Sequence, residues 1–319
     1  MEKRVSIVIP AFKEKFLTIA IQSVLQQTYS NFELIILNDN PASNINSIVS
    51  EFNDDRIVYL KNSENQGGKN LISVWNSLLE KAKGEFFVMF SDDDIMNKDF
   101  ISEMISLSNI YPTVNIFHCR VKVIDESNTA KYFVPSSPAF ETAIDFIWHR
   151  IKNYSQFFVP DFMVRTAALK QIGGFADIEN AWASDDLTWF RLANNGGIAA
   201  TSKVLCSWRE SNYNISQVGN PISKLRAINN YHKLLKSFIE NELIFDQDQQ
   251  EIFNDLKMNL KKKLVTDFGN ALKSSSPNSI PGIIRVIFLW IKNHKEFNIP
   301  FEGLMWGIFL LIKGFRNNK

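Results

Sequence analysis

The chain predicts an open α/β fold: a Rossmann-like, mainly parallel central sheet with flanking helices, followed by a helical C-terminal extension. Three observations carry that expectation. Through the first third, short apolar runs alternate with segments of helical periodicity, the pattern of parallel strands covered by crossover helices. Two polar turns, LNDNP and FSDDDI, directly follow apolar runs, where the ligand crevice of such a sheet opens. Beyond about residue 220 the strand-like runs give way to long helix-compatible segments.

Taken in order, Val5 to Ile9 reads as a buried strand. Between Glu14 and Gln27, Leu17, Ala20, Ile21, Val24 and Leu25 share one helical face, and Glu33 to Leu37 gives a second buried strand. Arg56 to Lys61 reads as a third strand. After the turn NSENQGG, a helix from about Lys69 to Lys83 aligns Leu71, Val74, Trp75, Leu78 and Leu79, with Gly84 expected as its C-terminal cap. The strand EFFVMF then runs into SDDDIM. The aromatic-rich segment from Ala139 to Val164 has no clear period. Helices are expected over about 222–242 and 247–273, with the apolar stretches GIIRVIFLWI and GLMWGIFLLI beyond them. No repeat of solenoid length is present. These readings divide the chain into an α/β domain, residues 1–220, and a helical extension, residues 221–319.

The 319 residues, 45% of them hydrophobic, suffice for a sizeable core. Thirty-five basic and 34 acidic side chains leave a formal charge of +1, so no basic excess points to nucleic acid as a partner. Cys119 and Cys206 are the only cysteines, too few for a disulfide framework or a cysteine-based zinc cluster. The N-terminus lacks the pattern of a secretory signal, so a cytoplasmic location is expected.

Five features could carry chemistry. Asp92, Asp93 and Asp94 follow an apolar strand, and three carboxylates beside a low-dielectric core call for compensation. A hard divalent cation, Mg²⁺ or Mn²⁺, is one reading, and a solvated turn or helix N-cap is the other. Asp39 stands at the end of the second strand, either as an acceptor for a base or sugar or as an Asx-turn residue. Asn65 to Gly68 could bring backbone groups close to a ligand, although they form no standard phosphate-binding fingerprint. Asp185 and Asp186 precede an amphipathic segment with Leu187, Phe190 and Leu192, so they suit helix capping or proton transfer. Arg209 offers a planar fork for phosphate, or a surface cation.

In order and spacing, VSIVIPAFKE, SVLQQTYSNFELIILNDNP, NQGGKN, GEFFVMFSDDDI, IGGF, SDDLTWFRLANNG and WRESNYNIS resemble the family 2 glycosyltransferases of GT-A fold, through about residue 215. The resemblance implies transfer of a sugar, with inversion, from a nucleoside diphosphate donor, a UDP-sugar foremost. It places the donor against Pro10, Ala11, Phe12, Glu14, Asp39, Asn65, Gly68, Lys69, Asp92, Asp93 and Arg209. The metal falls to Asp94 and Asp92 as a D-x-D pair, although the L-D-x-D-D form of the motif would put Ser91 at its first aspartate. Asp186 becomes the catalytic base, with Asp185 where the family usually has glutamate. Tyrosine is common where Phe12 stands, and paired aspartates where Asn38 and Asp39 stand. The family's R-x-H is here Arg209, Glu210, Ser211, so one phosphate or metal contact lacks its histidine.

A nucleotidyltransferase or a noncatalytic sugar-binding protein are the competing functions, and a glycosidase would need carboxylates on both sides of a scissile bond. From Pro281 onward, six Lys or Arg against two Glu give a net +4, and the apolar runs fall short of the roughly 18–20 residues of a spanning helix. That tail suits an anionic membrane surface, or a homo-oligomer contact. A glycan or lipid-linked glycan of bacterial surface polysaccharide would then be the acceptor, met on the cytoplasmic face of the inner membrane.

Overall fold

The structure, a computed structural model, describes residues 3–211 and 220–316. The NYNIS part of the WRESNYNIS motif, and the stretch just before the expected boundary at 220, lie outside the described residues. The chain divides into two compact units, residues 1–177 with 185–212, and residues 178–184 with 213–319.

In the first unit the elements are β1 (Val5–Ala11), α1 (Leu17–Leu25), β2 (Phe32–Asn38), α2 (Ile45–Ser50), β3 (Ile57–Lys61), α3 (Gly67–Lys81), β4 (Phe86–Met89), β5 (Ile95–Met96), α4 (Phe100–Ile110), β6 (Ile116–Ile124), β7 (Ala130–Phe133), β8 (Phe140–Glu141), α5 (Ala143–Ile151), β9 (Phe162–Arg165), α6 (Thr166–Gln171), α7 (Ser184–Ala193) and β10 (Ile198–Arg209). They build one sheet of order β3-β2-β1-β4-β9-β6-β10-β5, with β7 beside β6 and β8 beside β10. β1, β2, β3 and β4 are parallel throughout, as are β6 and β10. β9 lies between β4 and β6, antiparallel to both, and β5, β7 and β8 are also antiparallel to their neighbours.

The buried runs follow from the sequence. Every residue of β2 is buried, as expected for a central parallel strand covered on both faces. Ile7, Val24, Leu34, Val88 and Phe117 belong to one core, which takes alternate residues of β1, β2 and β4 and so lies on one face of the parallel half. Leaving β1, the chain goes first to β2 on one side and later to β4 on the other. The crevice beyond Ala11 and Phe90 is therefore a topological switch point.

Two local expectations change. α3 begins two residues early, at Gly67, and kinks at Asn70. It ends at Lys81, so Gly84 is not its cap. Gly84 is needed instead because a Cβ there would stand 2.5 Å from the Ser6 backbone nitrogen, where β4 enters beside β1.

The second unit contains α8 (Pro221–Asn241), α9 (Gln250–Ser274), α10 (Ile280–Asn293) and α11 (Phe301–Arg316). Leu225, Ile228, Phe268, Leu272, Val286, Phe297 and Leu304 form its core. His232 on α8 meets Asp267 on α9 at 2.9 Å, and Lys263 adds a second contact to the same carboxylate at 3.2 Å. No described helix is long and apolar enough to cross a membrane.

Candidate active site

The acidic turn after β4 is latched to the end of β1. Asp92 Oδ2 accepts hydrogen bonds from the backbone N–H groups of Phe12, at 2.8 Å, and Lys13, at 2.6 Å. The Lys13 ammonium pairs with the Asp93 carboxylate and stands 3.6 Å from Asp92. Burial alone would lower the Lys13 pKa, but the carboxylates of Asp92 and Asp93 outweigh it and raise it. Asp92 is pushed up to about 6, chiefly by burial, against the pull of Lys13.

Arg209 closes the other side of this turn. Ser207 on β10 pairs antiparallel with Ile95 on β5, and two more residues along β10 bring Arg209 opposite Asp93. Its backbone N–H donates to Asp94 Oδ1 at 2.7 Å, and its Nε donates to the Asp93 carbonyl at 2.7 Å. The remaining guanidinium nitrogens reach the Asp125 carbonyl and the Asn128 side chain. Phe16 lies under the guanidinium at 4.0 Å. The side chain is buried at 1% exposure, so the fork expected to face diphosphate is engaged inside the protein.

Asp39 lies one residue past β2, with its backbone N–H on the Ala11 carbonyl. Its Oδ1 accepts from Asn62, at 2.6 Å, and from the Gln66 N–H, while Oδ2 accepts from the Gly67 N–H at 2.7 Å. The carboxylate thus ties the start of α3 to the end of β2, where the helix macrodipole favours negative charge. Gly67 permits this approach, since a Cβ there would lie 2.7 Å from Asp39 Oδ2. The Asx-turn belongs to Asn38, whose Oδ1 accepts from Asn40 N–H. Asn65 accepts from the Gly68 N–H.

Not every expected residue joins this crevice. Glu14 accepts from the Asn44 N–H at the start of α2, and Lys69 pairs with Glu64 in an exposed contact. Pro10 and Ala11 form the end of β1. Phe12 is 47% exposed there, an aromatic face open at the switch point.

Asp185 and Asp186 occupy the first turn of α7. Both oxygens of the buried Asp186 meet Arg150 Nε on α5, at 3.2 and 3.0 Å. Asp185 is partly exposed. Burial, and then the neighbouring Asp186 charge, push its carboxyl up to about 7, against the pull of Arg150. Asp161 is buried with its carboxyl raised well above the ordinary range, chiefly by burial, and it feels the Asp185 charge. His118, 3.9 Å from Asp161, is lowered to about 4 by burial.

Among the described residues, no three or more His, Cys, Asp or Glu side chains form a metal cage by themselves. The acidic turn nevertheless fits a hard cation completed by a substrate. Asp94 Oδ2 is buried without a hydrogen-bond partner, and burial plus the Asp93 charge raise its carboxyl well above the ordinary range. Mg²⁺-type sites commonly take one or two carboxylates plus phosphate oxygens.

The family profile of glycosyl transferase family 2 matches residues 6–172, just over half of the chain. The chain belongs to this family. It is a glycosyltransferase, with a GT-A fold and the helical C-terminal region expected from the sequence. Escherichia coli WfgD, a UDP-Glc:α-D-GlcNAc-diphosphoundecaprenol β-1,3-glucosyltransferase, is 25% identical over 75% of this chain and 88% of its own. A Campylobacter jejuni GalNAc(5)-diNAcBac-PP-undecaprenol β-1,3-glucosyltransferase is 30% identical over 41% of this chain and 42% of its own. S. aureus TarS in complex with UDP-GlcNAc shares the fold at a TM-score of 0.64, with 16% identity over 100% of this chain and 93% of that one.

The sequence reading missed Lys13 as the counter-charge of the acidic turn and Arg150 as the partner of Asp186. Lys13 had a local signal, being the first cation after β1 in PAFKE. Arg150 had none, because 36 residues separate it from Asp186.

Proposed function

We propose that this glycosyltransferase moves a hexose from a nucleoside diphosphate sugar, a UDP-sugar foremost, to a hydroxyl of a lipid-linked glycan, by direct displacement with inversion. One observation carries the reading: the α/β unit holds two acidic groups in opposite environments. The turn at the switch point is braced by backbone amides, Lys13 and Arg209, with one Asp94 oxygen left unpartnered, whereas the α7 pair meets the Arg150 guanidinium. Transfer is assigned to residues 1–220, and the helical extension over 221–319 to docking.

Phe12 would stack on the base beyond β1, beside the amide-rich turn at Asn65 and Gly68. Asp39 would hold the rim of that pocket through α3. Asp93 and Asp94, with Asp92 bracing the turn, would hold the Mg²⁺ or Mn²⁺ ion. When bound, that ion supplies Lewis-acid stabilisation of the charge on the departing diphosphate. Lys13, paired with Asp93, would be the cation that meets diphosphate oxygens. Arg209 instead fixes the turn from behind. That assignment also accounts for Ser211 where the family has histidine: Arg209 serves the loop, and Lys13 supplies the cation.

On the opposite side of the sugar, Asp186 accepts the proton of the acceptor hydroxyl as its oxygen bonds to the anomeric carbon. The bond from that carbon to the diphosphate oxygen breaks, and the nucleoside diphosphate leaves with the electron pair. Arg150 orients the Asp186 carboxylate for this transfer. WfgD and the Campylobacter enzyme act on diphosphoundecaprenol-linked acceptors, which supports an acceptor presented at the cytoplasmic face of the inner membrane.

The test is a screen of nucleotide sugars with and without Mn²⁺, using lipid-linked and water-soluble acceptors, with product anomers read by NMR. Divalent-dependent transfer that inverts the donor anomer supports the proposal. Retention of configuration, or release of pyrophosphate from a nucleoside triphosphate, overturns it.

A further inference from the structure

The last two helices expose apolar stripes that the core of their own unit leaves uncovered. On α10, Val286 and Asn293 face inward, while Ile280, Ile284, Ile287, Phe288 and Ile291 are exposed. At about 100° per residue, these five side chains span an arc of about 100°. Arg285 and Lys292 fall on one edge of that arc, and both are exposed. α11 repeats the arrangement. Phe301, Met305, Phe309 and Ile312 form its exposed stripe, and the exposed Lys313 stands at the edge. Beside this stripe, Val265 on α9, Met305, Trp306 and Phe309 line an open groove of about 590 Å³. The one acid at that rim, Glu302, has Lys261 at 3.9 Å.

We propose that α10 and α11 are interfacial helices that seat the enzyme on an anionic lipid bilayer, with Ile284, Phe288, Met305 and Phe309 among the acyl chains and Arg285, Lys292 and Lys313 at the headgroups. Several observations select this occupant. The stripes contain large branched and aromatic residues, which gain most from leaving water. Cations at the stripe edge place their charges where long side chains snorkel to lipid phosphates. The segment from Pro281 onward carries a net +4, complementary to an anionic leaflet. Neither helix is long enough to cross, so lying in the interface is the membrane mode left to them. A second copy is a poorer fit, because the core of a protein interface is depleted in charge and a two-fold contact would bring the same cationic edges together. The surface would bring the α/β unit to a lipid-linked acceptor. That use rests on the proposed function, but the binding itself does not.

The experiment co-sediments the full chain with vesicles of equimolar phosphatidylglycerol and phosphatidylcholine, and with pure phosphatidylcholine vesicles. Binding at least about tenfold stronger to the anionic vesicles is expected. The variant I284S/F288S/M305S, altered at exposed positions only, should lose that binding while retaining its circular dichroism and its turnover of a water-soluble acceptor. R285E/K292E should erase the preference for phosphatidylglycerol. Full chain left in the supernatant, equal sedimentation of the triple variant, or indifference to phosphatidylglycerol would each overturn the proposal. So would a concentration-dependent dimer in light scattering that the triple variant abolishes, because it would identify a second copy as the occupant. Vesicle binding requires no donor, so its failure is distinguishable from failure of the transferase reading.

Discussion

The two acidic clusters of the α/β unit use the same residue type to opposite ends. Asp92, Asp93 and Asp94 are surrounded by donors: two backbone amides on Asp92, the Lys13 ammonium on Asp93 and the Arg209 amide on Asp94. Asp185 and Asp186 share one cation, Arg150. The first cluster is latched to β1 and β10 by those donors, whereas the second meets a guanidinium from α5. The surroundings assign the chemistry, and the carboxylate count does not.

The largest expected effect strikes the second cluster. D186N should lower turnover by about 10²- to 10⁴-fold, the usual range for a general base, with UDP binding nearly unchanged by calorimetry. Near-wild-type turnover in the folded variant would remove Asp186 from the mechanism. D93N strikes the first cluster. It should weaken donor binding in the presence of Mn²⁺ by about 10- to 100-fold, a typical cost of disturbing a metal's surroundings. Equal UDP affinity in wild type with and without Mn²⁺ would break this half of the comparison.

The pH dependence sharpens the contrast. Turnover should fall as pH drops through about 7, where Asp185 beside the base takes up a proton, and D185N should flatten that step. Stability runs the other way. The Asp185 carboxyl is raised from an ordinary 3.8 to about 7 in the folded protein, so its contribution is complete below about pH 4 and is lost as pH rises through 7. D185N should therefore raise Tm at pH 8 relative to wild type and leave Tm near pH 4 little changed. An unaltered Tm profile would contradict the assigned environment.

The smallest effect separates bracing from binding. Arg209→Lys cannot reproduce the planar fork on Asp93, Asp125 and Asn128, and should cost about 2–4 kcal/mol of stability by denaturant unfolding. Donor affinity should fall less than in D93N. A stable R209K protein with a donor-binding defect larger than that of D93N would restore the diphosphate role expected from the sequence.

The parallel half of the sheet was legible because β1, β2 and β4 are short, mostly apolar and followed by polar turns. β9 was not, since Phe162–Arg165 lies in an aromatic stretch without period and its place between β4 and β6 is a long-range choice. The acidic turn and the α7 pair could be found from spacing alone. Their division of labour could not, because it depends on partners remote in sequence: Lys13 for Asp93, Arg209 for Asp94 and Arg150 for Asp186. Asp39 illustrates the same limit. Its position after β2 was plain, while its hold on the start of α3 required Asn62, Gln66 and Gly67 to be brought to it.

The central claim is that the first cluster binds and the second reacts. Its most direct measurement is UDP affinity with and without Mn²⁺, taken beside single-turnover rates, in wild type, D93N and D186N. The account predicts Mn²⁺-dependent binding retained in D186N with transfer lost, and Mn²⁺-dependent binding lost in D93N. Binding lost in D186N and kept in D93N would contradict it.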